Sequence, residues 1–339
     1  MSNWDDTKDK LQAHYEELEN GIATEAFKTL PGDDKDLAAT FRKLNEAERK
    51  TKGQLGTYDL SKVDDSLKGL RKEFAEFTTL PESTPEEISA KATAYQKLTN
   101  GAKWWRLKNL ADLQVAQFFI PKTIENKEGL TTDKQYRTYL NSGTQILDRG
   151  ASLAKAQQKK FFHWFLEFPE VFGKGGFDCI LGNPPYLGGK KISTNYGDST
   201  LNYLKYYYEI TMGGADLVGY FVNRITLVTK DSFALITTQT IKQADTRKSS
   251  LSRIIKSGQI IYAETNTVWP GTAGVVVDRF SFSYVQRKVN FYLNNKKVSY
   301  ISDFLESNVE FGEPLSLSFN KENCFQGNVI SGSGFMLLP

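Results

Sequence analysis

The C-terminal half of the sequence alternates short β-branched or aromatic runs with helical patterns, and this alternation restricts the fold most. The apolar runs are residues 177–181, 233–238, 259–264 and 275–282, each bounded by glycine or polar residues. Apolar residues at helical spacing lie between the first two runs, from Leu217 to Val228, and a shorter pattern around Leu251 follows the second. The order predicts a parallel or mixed α/β sheet, whose ligands bind beyond the carboxyl ends of the strands.

The first 120 residues or so show the spacing of packed helices instead. Phe74 and Phe77 belong to a stripe with a coiled-coil-like period. Thr84, Pro85 and Glu87 are the N-cap, first-turn proline and capping-box glutamate expected at a helix start. We therefore predict a helical region over residues 1–150, whose apolar stripes serve packing.

The amino-acid composition of the chain argues against several classes of protein. No apolar run is long enough to span a bilayer and the N-terminus is too polar for a signal peptide, so we expect a soluble cytoplasmic protein without a membrane partner. With only two cysteines, Cys179 and Cys324, and two histidines, His14 and His163, neither a disulfide framework nor a bound metal is expected. The net charge of +3 resides in the C-terminal part, which is too little to establish a nucleic-acid partner alone.

The stretch Asn183-Pro184-Pro185-Tyr186 directly follows the first apolar run and carries the chemistry of the chain. Two prolines fix φ and remove two backbone donors, which leaves carbonyls to accept hydrogen bonds from a ligand. The Asn183 side-chain oxygen and the Pro184 carbonyl together suit both hydrogens of an amino group. Tyr186 offers a ring for stacking a base extruded from duplex DNA. A simple strand-ending turn is the alternative interpretation of four such residues.

The wider sequence favours the chemical interpretation. The motif after a hydrophobic strand resembles that of DNA adenine-N6 methyltransferases, and the chain is similar to type IIG restriction–modification and phage-defence methylases over residues 162–172, 215–221, 237–241, 245–247 and 269–273. This resemblance implies S-adenosylmethionine as cofactor, double-stranded DNA as partner, Asn183 to Tyr186 as catalytic residues, and Asn183 and Pro185 beside the cofactor.

Further contacts with DNA are expected on the same grounds. Trp269 falls where the family places an aromatic near the flipped base, although it also suits an apolar anchor before a tight turn. Lys190 and Lys191, in a stretch that also contains five tyrosines, suit phosphates and stacked bases. Arg247 is a weaker candidate for a phosphate contact, with surface charge as the default interpretation.

The sequence lacks one motif that is typical of this family. No glycine-rich turn after a strand precedes the motif, and Gly332-Ser333-Gly334 is too close to the end of the sequence to replace it. We therefore expect a partial class I S-adenosylmethionine-dependent methyltransferase sheet over residues 151–285, preceded by the helical region. The start of a β-rich target-recognition region, with a hairpin at Asn294-Asn295, is expected over residues 286–339.

Three functions stay open at this point. The first is a site-specific DNA adenine-N6 methyltransferase, part of a restriction–modification or defence system, in which a separate cofactor-binding part or other subunits complete the enzyme. The second is a non-catalytic DNA-binding remnant or a subunit of a split enzyme, which the missing turn favours. The third is a protein-glutamine methyltransferase, which uses the same motif on a side-chain amide, but the β region after Trp269 argues against it.

Overall fold

The computed structural model describes residues 18–51, 61–142, 150–270, 274–284 and 290–307. All of them lie in one compact unit that extends to Ser307. Within them, no helix is both long and apolar enough to cross a membrane. Cys324 and the Gly332-Ser333-Gly334 segment lie outside the described residues.

Helices make up the part before the sheet, as predicted. Their bounds are α1 Lys35–Lys50, α2 Ser61–Thr78, α3 Pro85–Thr99, α4 Ala102–Ala116, α5 Asp133–Ser142, α6 Gly150–Lys159, and the single turns α7 Trp164–Glu167 and α8 Pro169–Phe172. The capping box at Thr84 and Glu87 is present in full, since each side chain accepts from the backbone of the other. The stripe of α2 packs inward, with Leu70 and Phe74 buried in one apolar core with α4 and α8.

The sheet of the described residues has six strands, and helices separate the first three of them along the chain. In chain order the elements are β1 Phe177–Gly182, α9 Gly189–Tyr196, α10 Asp198–Tyr207, α11 Leu217–Val228, β2 Thr229–Thr238, α12 Ala244–Ser249, α13 Leu251–Ile254, β3 Gln259–Val268, β4 Val276–Ser283, β5 Phe291–Leu293 and β6 Lys296–Val298. The four predicted runs are all strands, and the α/β class is confirmed.

The strand order is β1-β2-β4-β3-β5-β6. β1 and β2 are parallel, and β4 inserts antiparallel to both β2 and β3. β3 therefore runs in the same direction as β1 and β2, and the carboxyl ends of these three strands lie at one edge of the sheet. The predicted site belongs at this edge.

A hairpin at Asn294-Asn295 is present as predicted, and both asparagines have the positive φ of a tight two-residue turn. Its first strand, β5, pairs parallel to β3 and so continues the main sheet. The predicted boundary at residue 286 thus falls within the sheet. The assignment of residues 286–339 to target recognition stays a prediction.

The two faces of the sheet differ. Helices α11 and α13 cover one face, where Phe233, Leu235 and Phe280 are buried with Val222 and Leu251. Along β1, Ile180 packs against that core. The neighbouring residue, Leu181, points to the other face and is 77% exposed.

Candidate functional site

The motif Asn183 to Tyr186 leaves the sheet at the carboxyl end of β1. Asn183 is exposed, Pro184 is buried and Tyr186 is half-buried. The residues after β2 and β3 lie at the same edge, so that Gln239 and Trp269 share it with the motif. The motif therefore lies at this edge, and Trp269 lies at the same edge but three strands away from β1.

Tyr186 holds the side chain of Asn183 in place. Its hydroxyl contacts Asn183 Oδ1 and is 3.0 Å from the carbonyl oxygen of Ile236 near the end of β2. Burial raises the pKa of Tyr186, which moves it further from neutral pH, where a tyrosine hydroxyl is already protonated and can donate. The ring also packs against the core beneath the sheet. Tyr186 thus ties Asn183 to two neighbouring strands.

With Tyr186 in contact, the side chain of Asn183 can still accept a hydrogen bond from a ligand. A carboxamide oxygen has two lone pairs, so Oδ1 can accept from Tyr186 and from a second donor. The prolines that follow carry no N–H, and their carbonyls add acceptors beside it. An amino group with two hydrogens matches such a set of acceptors. The stacking of a base on Tyr186 stays a prediction. The role of Tyr186 in orienting Asn183 was not predicted, because the second partner of the Tyr186 hydroxyl, Ile236, is 50 residues away in the sequence.

Asp216 fixes the loop behind the motif. It is buried, caps α11 through the N–H of Val218 at 3.0 Å, and accepts the N–H of Leu187 at 3.1 Å. The N–H of Leu217 returns a bond to the Leu187 carbonyl at 2.9 Å. Gly189 allows this approach, since a Cβ there would lie 2.5 Å from the Ala215 carbonyl oxygen. An aspartate just before the helical pattern at Leu217 is the N-cap signal that could have identified it.

Replacing Asp216 with alanine is expected to lower the free energy of unfolding by about 2 kcal/mol, because two backbone donors lose their acceptor. The measurement is urea denaturation followed by circular dichroism. Asp198, an exposed residue in the first turn of α10, provides the matched control. Asp198→Ala should change stability by less than about 0.5 kcal/mol. Equal losses for the two variants would contradict the role assigned to Asp216.

Three of the other residues predicted to contact DNA lie near the carboxyl ends of the strands. Lys190 and Lys191 are exposed in the first turn of α9, immediately after the motif, where they are accessible to a phosphate. Trp269 is half-buried. Its backbone N–H donates to the Val275 carbonyl at 2.9 Å, so Trp269 starts the turn between β3 and β4. Their contacts with DNA stay predictions.

Arg247 is placed differently from its predicted surface position. Its side chain is 5% exposed and pairs with Asp303, while the guanidinium carbon lies 3.9 Å from the ring centroid of Phe304. Nη1 also donates to Ser252 Oγ at 3.1 Å. Arg247 therefore anchors residues 303–304 against α12 and does not face a DNA phosphate. A partner 56 residues away is not visible in the local sequence.

The strand that leads into the motif is paired on one side only within the described sheet. β1 is the end strand of the described sheet, and it exposes Cys179 and Leu181. This exposure differs from the burial expected of three consecutive apolar residues, Cys179, Ile180 and Leu181. Parallel strands are normally covered on both faces. Asn183 and Pro185 follow this open strand directly, and their predicted place beside the cofactor stays a prediction.

Comparison with known proteins identifies the family of this chain. The family model described as Eco57I restriction-modification methylase matches residues 87–263, which is more than half of the sequence. The chain belongs to the Eco57I restriction-modification methylase family. The match covers most of the helix Pro85–Thr99, the motif, and the strands through the first half of β3. It confirms the resemblance to restriction–modification methylases.

A solved structure is also similar to this Eco57I-family chain. It is the type IIL restriction-modification enzyme MmeI in complex with DNA, with a TM-score of 0.32 and 11% identity. The alignment covers 80% of this chain and 41% of the MmeI chain. The chain thus spans less than half of the length of that enzyme. A search of curated proteins finds no match.

Proposed function

We propose that this chain carries the catalytic motif of a DNA adenine-N6 methyltransferase that uses S-adenosylmethionine. The observation that carries the proposal is Asn183 at the carboxyl end of β1, with its amide oxygen held by Tyr186 and two prolines directly behind it. A pair of acceptors in this position suits the exocyclic amine of an adenine. The family supports methylation within a restriction–modification system.

In this mechanism the protein positions the amine and leaves proton removal to the solvent. Asn183 Oδ1 and the Pro184 carbonyl accept the two amino hydrogens, which turns the nitrogen lone pair toward the methyl donor. S-adenosylmethionine supplies an electrophilic methyl group when it is bound. Tyr186 keeps the amide from rotating, and a base must leave the DNA stack before it reaches the motif.

The open edge of β1 supports a second part of the proposal. A separate cofactor-binding polypeptide pairs with β1 and covers Leu181, and it brings the cofactor-binding residues to Asn183. Isothermal titration with S-adenosylhomocysteine tests this point. We expect no saturable binding to the isolated chain, and submicromolar binding without any added segment would contradict it.

DNA approaches the motif across α9 in this account. Reversing two charges with Lys190→Glu and Lys191→Glu is expected to weaken duplex binding by about tenfold at moderate salt, because two phosphate contacts are lost and repulsion is added. Fluorescence anisotropy with a labelled duplex measures the effect. Arg42 and Lys43 on α1 are also exposed and adjacent, and they provide the matched control pair. If both double variants bind equally well, α9 is not part of the DNA surface.

The non-catalytic alternative makes a different prediction. A DNA-binding remnant would show the same loss with the α9 variants, but it would transfer no methyl group under any condition. Methyl transfer by the complete protein therefore separates the two functions, whereas DNA binding alone does not.

A further inference from the structure

A large groove lies away from the motif, between the helical region and the layer formed by α10, α11 and α13. It encloses about 920 Å³ and is lined on one side by Phe118 and Phe119 and on the other by residues of α10 and the last turns of α11. This volume is near the upper end of the range for small-ligand sites, roughly 300–1,000 Å³. The groove is therefore large enough for more than a single planar ring.

The groove and the motif lie at opposite ends of α11. Asp216, which contacts the motif loop, caps the first turn of this helix, whereas Arg224 lines the groove. At 1.5 Å per residue the two are about 12 Å apart along the helix axis. Ser257, just before β3, also lines the groove, so the groove lies near the amino ends of the strands. It is separate from the proposed methylation site.

A continuous series of aromatic rings runs through the groove. Ring centroids are separated by 5.4 Å between Phe161 and Phe119, 5.7 Å between Phe119 and Tyr203, and 5.6 Å between Tyr203 and Tyr207. Tyr208 follows at 5.0 Å from Tyr207. Tyr206 packs on Phe118 at 5.2 Å and is 45% exposed. The tyrosines that the sequence linked to DNA near the motif thus face a different surface.

Cationic side chains accompany the rings. Lys159 Nζ lies 5.6 Å from the ring centroid of Phe119, and the guanidinium carbon of Arg224 lies 4.8 Å from that of Tyr207. Arg253 donates to the carbonyl of Tyr208 at 2.6 Å, and the exposed Lys160 also lines the groove. Among the described lining residues, Glu209 is the single carboxylate. The groove therefore has a clear positive excess.

We propose that this groove binds a short single strand of nucleic acid. Exposed rings next to cations are the combination that holds unpaired bases and their phosphates, and Phe162, Tyr196 and Tyr206 are exposed rings that line this groove. A duplex does not fit this chemistry, because its base faces are covered by stacking. The positive excess and the three exposed rings argue for an anionic ligand that carries several aromatic bases. The proposal does not depend on methyl transfer at Asn183.

The test measures anisotropy of a fluorescein-labelled oligodeoxythymidylate, with an oligouridylate in parallel, on the full chain. Lys159→Glu with Lys160→Glu is expected to weaken binding by about tenfold, since two cations beside the strand are reversed. Tyr206→Ala, at an exposed ring, should weaken binding by about fivefold through lost stacking. Lys296→Glu with Lys297→Glu, the matched pair on β6, should change it by less than about twofold. Thermal melts confirm that each variant is folded.

The outcomes are distinct. Loss in the groove variants alone supports the proposal, and the stronger of the two probes identifies the strand as DNA or RNA. Equal loss in the β6 pair would show nonspecific attraction and overturn it. Equal loss in the Lys190 and Lys191 variants would place the strand at the motif and also overturn it. Absence of saturable binding to either probe, as expected for a groove that takes a protein segment, would do the same.

Discussion

Replacing Asn183 with alanine is expected to lower the rate of methyl transfer to DNA roughly 100- to 1,000-fold, as for other groups that position a reacting atom by hydrogen bonds. Alanine removes the acceptor that turns the amine toward the methyl donor. Because Asn183 is exposed, folding should be unaffected. The measurement is single-turnover transfer of a labelled methyl group from S-adenosylmethionine to duplex DNA by the complete protein.

Asn195 provides the control for this substitution. It is also exposed, lies on α9 close to the motif, and donates only to the Lys191 carbonyl at 2.8 Å. Asn195→Ala should change the rate by less than about twofold. Full activity of Asn183→Ala would contradict the proposed positioning of the amine.

Two substitutions of Tyr186 distinguish its role in orienting Asn183 from its role in stacking a base. Tyr186→Phe keeps the ring and removes the hydroxyl that contacts Asn183, and it should lower the rate by about tenfold, which is the loss of one hydrogen bond. Tyr186→Ala also removes the ring and should weaken binding of duplexes with an extruded base. If the phenylalanine variant is as active as the wild type, the hydroxyl does not orient Asn183.

Replacing Arg247 with alanine is expected to lower the free energy of unfolding by about 3 kcal/mol, because the Asp303 carboxylate is left buried without its cation. Chemical denaturation measures this loss. Duplex affinity should stay unchanged in the folded variant, since the guanidinium faces Asp303 and Phe304 rather than solvent.

A double variant tests whether the unpaired Asp303 carboxylate causes the loss of stability. Arg247→Met with Asp303→Leu removes both charges, and it should recover much of the stability that the single substitution loses. A folded Arg247→Ala protein of normal stability that binds DNA poorly would instead support a phosphate contact.

Local patterns predicted the elements of this fold well. The capping box at Thr84 fixed one helix start, the apolar runs located four strands, and Asn294-Asn295 located the hairpin. Each of these signals lies within a few residues of its element. The motif was found in the same way, because a strand followed by two prolines is a local feature.

Pairing and burial depend on distant residues and were predicted less well. The apolar residues of β1 have the same pattern in an interior strand and in an end strand, so the exposure of Leu181 was not foreseen. The insertion of β4 between β2 and β3, and the pairing of β5 with β3, join segments that no local pattern connects. Arg247 was misplaced for the same reason.

The chemical identity of the methylated product tests the central claim most directly. Unmethylated duplex DNA is incubated with S-adenosylmethionine and the complete protein, digested to nucleosides and analysed by mass spectrometry, with Asn183→Ala in parallel. The account predicts N6-methyladenine with the wild type and none with the variant. A methyl group on cytosine, no methylated nucleoside at all, or N6-methyladenine with both proteins alike would contradict it.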